Sequence, residues 1–138
     1  MIRVLIADDH KLVRDGLRGI LAAASGIEVA AEAANGDEAL ALVRAQAFDV
    51  ALLDLSMPGL AGIDLIKRLK IERPQLHILV LSMHGEQQYA ARALKAGAAG
   101  YLTKDAASEQ LVSALRKVAA GGVAISDATA ASLLKSAR

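Results

Sequence analysis

Cysteine and tryptophan are absent from the 138 residues, and proline occurs only at Pro58 and Pro74. Without cysteine there are no disulfides, thiolate metal sites or cysteine nucleophiles, so any chemistry falls to carboxylates, hydroxyls and amines. Only three aromatic residues are present, Phe48, Tyr89 and Tyr101, so the 54% hydrophobic content must build its core from Ala, Val, Ile and Leu. Excess charge is lacking too. The 16 Lys and Arg against 15 Asp and Glu leave a net charge of +1, which gives no electrostatic footprint for nucleic acid, and DNA binding by this chain alone is not expected. No apolar run approaches the roughly 18 residues of a membrane span, and no signal-peptide layout opens the chain. A cytoplasmic protein without membrane contact is predicted, with the length of one domain.

What is there is an alternation. Ile2 to Ala7 reads as a strand ending on Asp8-Asp9-His10. From Lys11 to about Ala24, Leu12, Val13, Leu17, Ile20 and Leu21 recur at helical spacing, with Arg14, Asp15 and Arg18 on the other side. Val29 to Ala33 is a second strand, and Asn35-Gly36-Asp37-Glu38 opens a second helix that runs to about Gln46. Val50 to Leu53 is a short apolar run, as expected of a strand buried on both faces of a parallel sheet, and it delivers Asp54 into the turn Ser56-Met57-Pro58-Gly59. A third helix from about Ile63 stops before Pro74. Ile78 to Leu81 is a fourth strand, ending on Ser82-Met83-His84. An Ala-rich fourth helix, Tyr89 to Ala96, has a thin core stripe. Gly100 to Thr103 is a fifth strand ending on Lys104-Asp105, and Ser108 is predicted to cap a fifth helix with Leu111, Val112, Leu115, Val118 and Ala119 buried. Gly121-Gly122 ends it. We place the domain at residues 1–122 and treat 123–138 as an extension or the start of a linker, in which Ala128, Ala131, Leu133 and Leu134 mark one more helical segment.

Strands alternating with helices imply right-handed βαβ units, and hence an α/β, doubly wound, five-stranded parallel sheet with helices on both faces. Among the few topologies that remain, the order 2-1-3-4-5, with its switch point between strands 1 and 3, is the most economical and is adopted by resemblance to flavodoxin-like folds. The strand ends then share one edge, where Asp8-Asp9, Asp54, Ser82 and Lys104 converge. Crowded carboxylates raise one another's pKa unless a cation sits among them. Mg²⁺, usually held by one or two carboxylates, waters and phosphate oxygens, suits Asp9 and Asp54. No His or Cys cluster argues for zinc. With a cation in place Asp54 can attack phosphorus and form an aspartyl phosphate, and Lys104 and Ser82 can neutralise its oxygens. Taken singly each residue has a mundane reading: paired acids cap helices, Asp opens turns, and Ser and Lys are common at exposed loop starts. Four strand ends carrying complementary groups at one edge are hard to obtain from turns alone.

These residues resemble the receiver domain of two-component response regulators, over Ile2 to about Gly122. The acidic pair is Asp8-Asp9, the Asp-x-x-Met-Pro-x-x-x-Gly turn runs from Asp54 to Gly62, and Ser82 and Lys104 follow the fourth and fifth strands. The resemblance implies that Asp54 is the phosphoacceptor, that Asp9 and Asp54 bind Mg²⁺ directly with Asp8 acting through water, and that the main-chain carbonyl of Ser56 completes the ligands. It implies that Ser82 and Tyr101 form a switch pair, the ring turning inward as the hydroxyl moves to the phosphoryl group, and that the surface of the fourth helix, fifth strand and fifth helix changes with it. A histidine kinase or phosphotransfer protein would supply the phosphoryl group, small acyl phosphates could replace it, and a homodimer could form. The run Gly97 to Asp105 resembles the NarL/FixJ-like subgroup, in which a LuxR-type helix-turn-helix domain controls transcription. Such a domain would lie beyond Arg138, the chain being either a piece of a longer regulator or a stand-alone receiver. Haloacid-dehalogenase-like phosphatases also use a strand-end Asp with Mg²⁺ and Lys, but require a second acid where Ser56 stands. A pseudo-receiver that takes up no phosphate is the other rival.

Overall fold

The structure, a computed structural model, describes residues 1–83, 87–126, 130, 131, 134 and 135. Five strands, β1 (Ile2–Ala7), β2 (Ile27–Ala33), β3 (Val50–Asp54), β4 (His77–Ser82) and β5 (Gly100–Thr103), alternate with α1 (Lys11–Ala22), α2 (Gly36–Ala45), α3 (Gly62–Glu72), α4 (Gln87–Ala96) and α5 (Lys104–Ala119). All pairings are parallel and the order is β2-β1-β3-β4-β5. His84, Ala128 and Leu133 lie outside the described residues, while Ala131 and Leu134 have helical backbone.

Strand side chains alternate between two cores, as the twofold strand period requires. Leu5, Ala51, Leu53, Ile78, Val80 and Tyr101 join one core, together with residues of α2, α3 and α4. Val4, Ile6, Val50, Leu52, Leu79, Leu81 and Leu102 join the other, with Leu17 and Leu21 of α1 and Leu111, Leu115 and Val118 of α5. Three helices therefore cover one face and two the other. The aliphatic composition is legible here: among the residues of α4 whose side chains are described, the buried ones are alanines, Ala90, Ala91 and Ala93.

Several local expectations change. Leu12, assigned to the buried stripe of α1, is 86% exposed, because α1 meets the sheet chiefly through Leu17 and Leu21. Arg14, assigned to the solvent side, is half-buried instead; its Nη1 donates to the Asp8 main-chain oxygen at 2.7 Å and its Nε to Glu32 at 3.1 Å. Ser108 does not cap α5. The helix begins four residues earlier at Lys104, behind an extended Thr103 (φ −78°, ψ 149°), since the end of β5 passes straight into helical backbone. Past Gly122 the chain returns to the sheet edge: Ala124 donates to Ala99 O at 3.0 Å and accepts from Tyr101 N at 2.9 Å.

Candidate functional site

Register brings the predicted residues together. Ala7 pairs with Leu53, so Asp8, one residue on, lies level with Asp54. Asp54 pairs with Leu81, and Ser82 with Thr103, which sets Ser82 one rung beyond Asp54 and Lys104 just past that. Asp8, Asp54 and Ser82 are the buried polar or charged residues among those described, at 1%, 2% and 6% exposure.

Within the site every charge has a distinct relation. Lys104 Nζ lies 2.9 Å from Asp8 Oδ2 and 3.5 Å from Asp54 Oδ1. The Ser56 N–H donates to Asp54 Oδ1 at 3.2 Å, and the His10 N–H to Asp8 Oδ1 at 2.9 Å. It is thus the amide of Ser56 that already touches Asp54. Burial pushes the Asp54 carboxyl above its ordinary range; Asp8 and Asp9 push it the same way, and the Ser56 N–H and Lys104 oppose them. Two carboxylate oxygens are left over: among the described residues, Asp9 Oδ1 and Asp54 Oδ2 are buried with no hydrogen-bond partner, the former having His10 Nδ1 3.0 Å away. Such oxygens carry a large desolvation cost, which a hard dication among them would remove. Asp8, Asp9, His10 and Asp54 each offer a ligand atom, all within 4.8 Å of one another. The donor set fits a divalent cation.

The turn that presents Asp54 is held by its own sequence. Met57 is buried in the first core, while Gly59 and Gly62 have φ of +73° and +60°, the left-handed region that glycine adopts without strain. Gly36, at the start of α2, faces this turn so closely that a Cβ there would sit 1.7 Å from Leu60 O. Tyr101, the other half of the expected switch pair, is 6% exposed, its ring inside the first core. Sequence reasoning overlooked Arg14, whose contact depends on the angle at which α1 crosses the end of β1. It also left His10 unused, although its place beside the acid pair was a signal.

The model of the response regulator receiver domain matches residues 4–116. The chain belongs to that family. It is 45% identical over 121 residues to response regulator UvrY of Escherichia coli O6:H1, an alignment covering 88% of this chain and 56% of that protein. The chain thus spans about half the length of the curated relatives it matches. Among solved structures it is similar to a LuxR-family two-component response regulator from Aurantimonas sp. SI85-9A1, with a TM-score of 0.89, 34% identity, and coverage of 97% of this chain and 96% of that one. It is also similar to the isolated receiver domain of RcsB from Salmonella enterica serovar Typhimurium with the phosphomimetic BeF3-, with a TM-score of 0.85, 30% identity, and coverage of 94% and 96%. The receiver domain acts in two-component signalling, where response regulators take phosphoryl groups from histidine kinases, and its acidic cluster is of the kind in which receivers bind Mg²⁺. No helix among the described residues is long and apolar enough to cross a membrane.

Proposed function

We propose that Asp54 accepts the phosphoryl group, in a reaction to which this chain contributes the nucleophile, the metal ligands and the charge neutralisation. The observation that carries the reading is the pair of orphaned oxygens on Asp9 and Asp54, with Lys104 anchored beside them. Asp9 and Asp54 would hold Mg²⁺, with Asp8 behind them and the Ser56 carbonyl as a further ligand. When bound, Mg²⁺ lowers the repulsion between the carboxylates and the incoming phosphoryl oxygens. One Asp54 oxygen attacks phosphorus and forms the new O–P bond, while the P–N bond to the kinase imidazole, or the P–O bond to the acyl group of an acyl phosphate, breaks and the donor leaves with its electron pair. Lys104 and the Ser82 hydroxyl stabilise the transferred oxygens. The reverse fate, slow attack by water on the aspartyl phosphate, returns the free carboxylate.

Ser82 and Tyr101 are the residues through which the new charge reaches the α4–β5–α5 surface. The Tyr101 ring is inward, the position that the resemblance assigns to the activated form. Residues 1–122 form the signalling unit and 123–138 the connection to an output. Transcription through a helix-turn-helix domain, with dimers on DNA, is the output we assign by analogy with the longer relatives. Intact-protein mass spectrometry after incubation with acetyl phosphate tests the core of this reading. One Mg²⁺-dependent phosphoryl adduct on wild type, lost with EDTA and with Asp54→Asn, is expected. Undiminished labelling of Asp54→Asn would move the phosphosite, and no labelling of wild type would leave an interaction module only.

A further inference from the structure

The His10 imidazole takes no part in the reaction above, yet it stands at the metal-facing edge. Its Nδ1 is 3.0 Å from Asp9 Oδ1, the orphaned oxygen, and 3.5 Å from Asp8 Oδ1. The Nδ1 and Asp9 Oδ1 are close without being aligned for a hydrogen bond. As the N-cap residue of α1, His10 has an extended backbone (φ −99°, ψ 113°) and no side-chain capping bond, so the ring is not committed to the helix. Its side chain is 68% exposed, free to reorient about its own bonds, while Asp54, with Oδ2 unpartnered, is 2% exposed within the same cluster. Two orphaned carboxylate oxygens next to an imidazole nitrogen are not a purely hard donor set. Imidazole favours borderline ions, and N/O sites bind Cu²⁺ and Zn²⁺ more tightly than the earlier divalent metals.

We propose that His10 turns this into a mixed oxygen and nitrogen site that also takes a borderline transition dication of the Zn²⁺ or Cu²⁺ type, which competes with Mg²⁺ for Asp9 and Asp54. Zinc is usually four-coordinate, so two carboxylates and an imidazole leave it a single open position, whereas Mg²⁺ keeps several waters that phosphoryl oxygens can replace. A chain loaded with Zn²⁺ is therefore expected to take up phosphoryl groups more slowly, making the receiver sensitive to transition-metal excess. The inference rests on the metal assignment made above.

Calorimetric titration of Zn²⁺ and, separately, of Mg²⁺ into wild type, His10→Gln and Asp54→Asn tests it, together with electron paramagnetic resonance of wild type and His10→Gln holding one equivalent of Cu²⁺. Loss even of a residue that merely supports a metal ligand typically weakens affinity 10–100-fold, so His10→Gln is expected to weaken Zn²⁺ by at least about tenfold and Mg²⁺ by much less. Asp54→Asn should weaken both, and the nitrogen coupling of one imidazole should vanish from the Cu²⁺ spectrum of His10→Gln. Equal loss of Zn²⁺ and Mg²⁺ in His10→Gln would reduce His10 to a positioning role and overturn the proposal. So would Zn²⁺ binding undiminished by Asp54→Asn, which would take Asp54 out of the site, or nitrogen coupling that persists without His10, which would put the ion on another nitrogen. Wild type that binds Zn²⁺ with His10 coupling but never binds Mg²⁺ would support this inference and overturn the magnesium assignment instead.

Discussion

Asp54 sits where burial opposes its charge. Its carboxyl titrates above the ordinary value of 3.8, burial being the main cause. Between that value and its raised one, the folded chain keeps a proton that the unfolded chain has released. Stability therefore falls as pH rises through this window, and the deficit persists above it. Asp54→Asn removes the deficit, so its urea midpoint should exceed that of wild type at neutral pH, the gap narrowing as pH approaches 3.8. Mg²⁺ should reverse the order: at 100 times its dissociation constant a bound ion adds about 2.7 kcal/mol to wild type, and Asp54→Asn should gain little. Lys104 belongs to the same scale. Removing one preorganised donor from a transferred oxyanion typically costs about 10²–10³ in rate, and Lys104→Ala should slow phosphoryl uptake from acetyl phosphate by a factor in that range. An unchanged rate would set aside its contact with the phosphoryl group.

Among the elements, α2 shows how a turn sequence becomes a mechanical support. Asn35 Oδ1 accepts from Glu38 N at 2.8 Å while Glu38 Oε1 accepts from Ala34 N at 3.0 Å, a variant of the capping box with Asn as the cap and Glu38 reaching the residue before it. Asn35→Ala should cost about 1 kcal/mol, read from denaturant unfolding. Gly36→Ala is a different matter. Its Cβ would collide with the main chain of Leu60, and a backbone collision cannot be relieved by a rotamer change. Overpacking of this kind costs about 1–3 kcal/mol or more. Because Leu60 belongs to the turn after Asp54, Gly36→Ala should weaken Mg²⁺ binding as well as stability, whereas Asn35→Ala should affect stability alone. At β1, Arg14 donates to the main chain of Asp8 and pairs with Glu32, and Arg18 also pairs with Glu32. The acid pair is thereby tied to β2 from behind.

On the scale of the whole molecule, the start of the β5 edge is covered by Ala124, which accepts a backbone hydrogen bond from Tyr101 of β5 and donates one to Ala99 just before it. An open edge is otherwise free to pair with another chain. A chain cut after residue 122 should be less stable than one cut after residue 126 by about 1–3 kcal/mol, at 0.5–1.5 kcal/mol for each lost bond, and more prone to associate. Equal urea midpoints for the two lengths would show the bridge to be incidental. The same bridge connects the extension to the backbone of Tyr101, the proposed switch residue, so the longer form should also differ in its response to phosphorylation.

The sequence alone determined the order of elements and the edge on which Asp8, Asp9, Asp54, Ser82 and Lys104 meet. Short aliphatic runs between helical periods permit little but a parallel doubly wound sheet, and a parallel sheet gathers its strand ends on one side. The Asp54 turn was legible because Pro58, Gly59 and Gly62 have few conformational uses. Leu12, Arg14 and the start of α5 were not legible: periodicity defines a face only to within a residue or two, and local cap preference cannot register that β5 runs directly into a helix. Only the tertiary structure decided which oxygens are satisfied and which are left over. That depends on Lys104 reaching Asp8 from 96 residues away, and on whether His10 turns toward its neighbouring acids or away from them. Such choices are made by side-chain geometry among elements distant in sequence, and no local pattern encodes them.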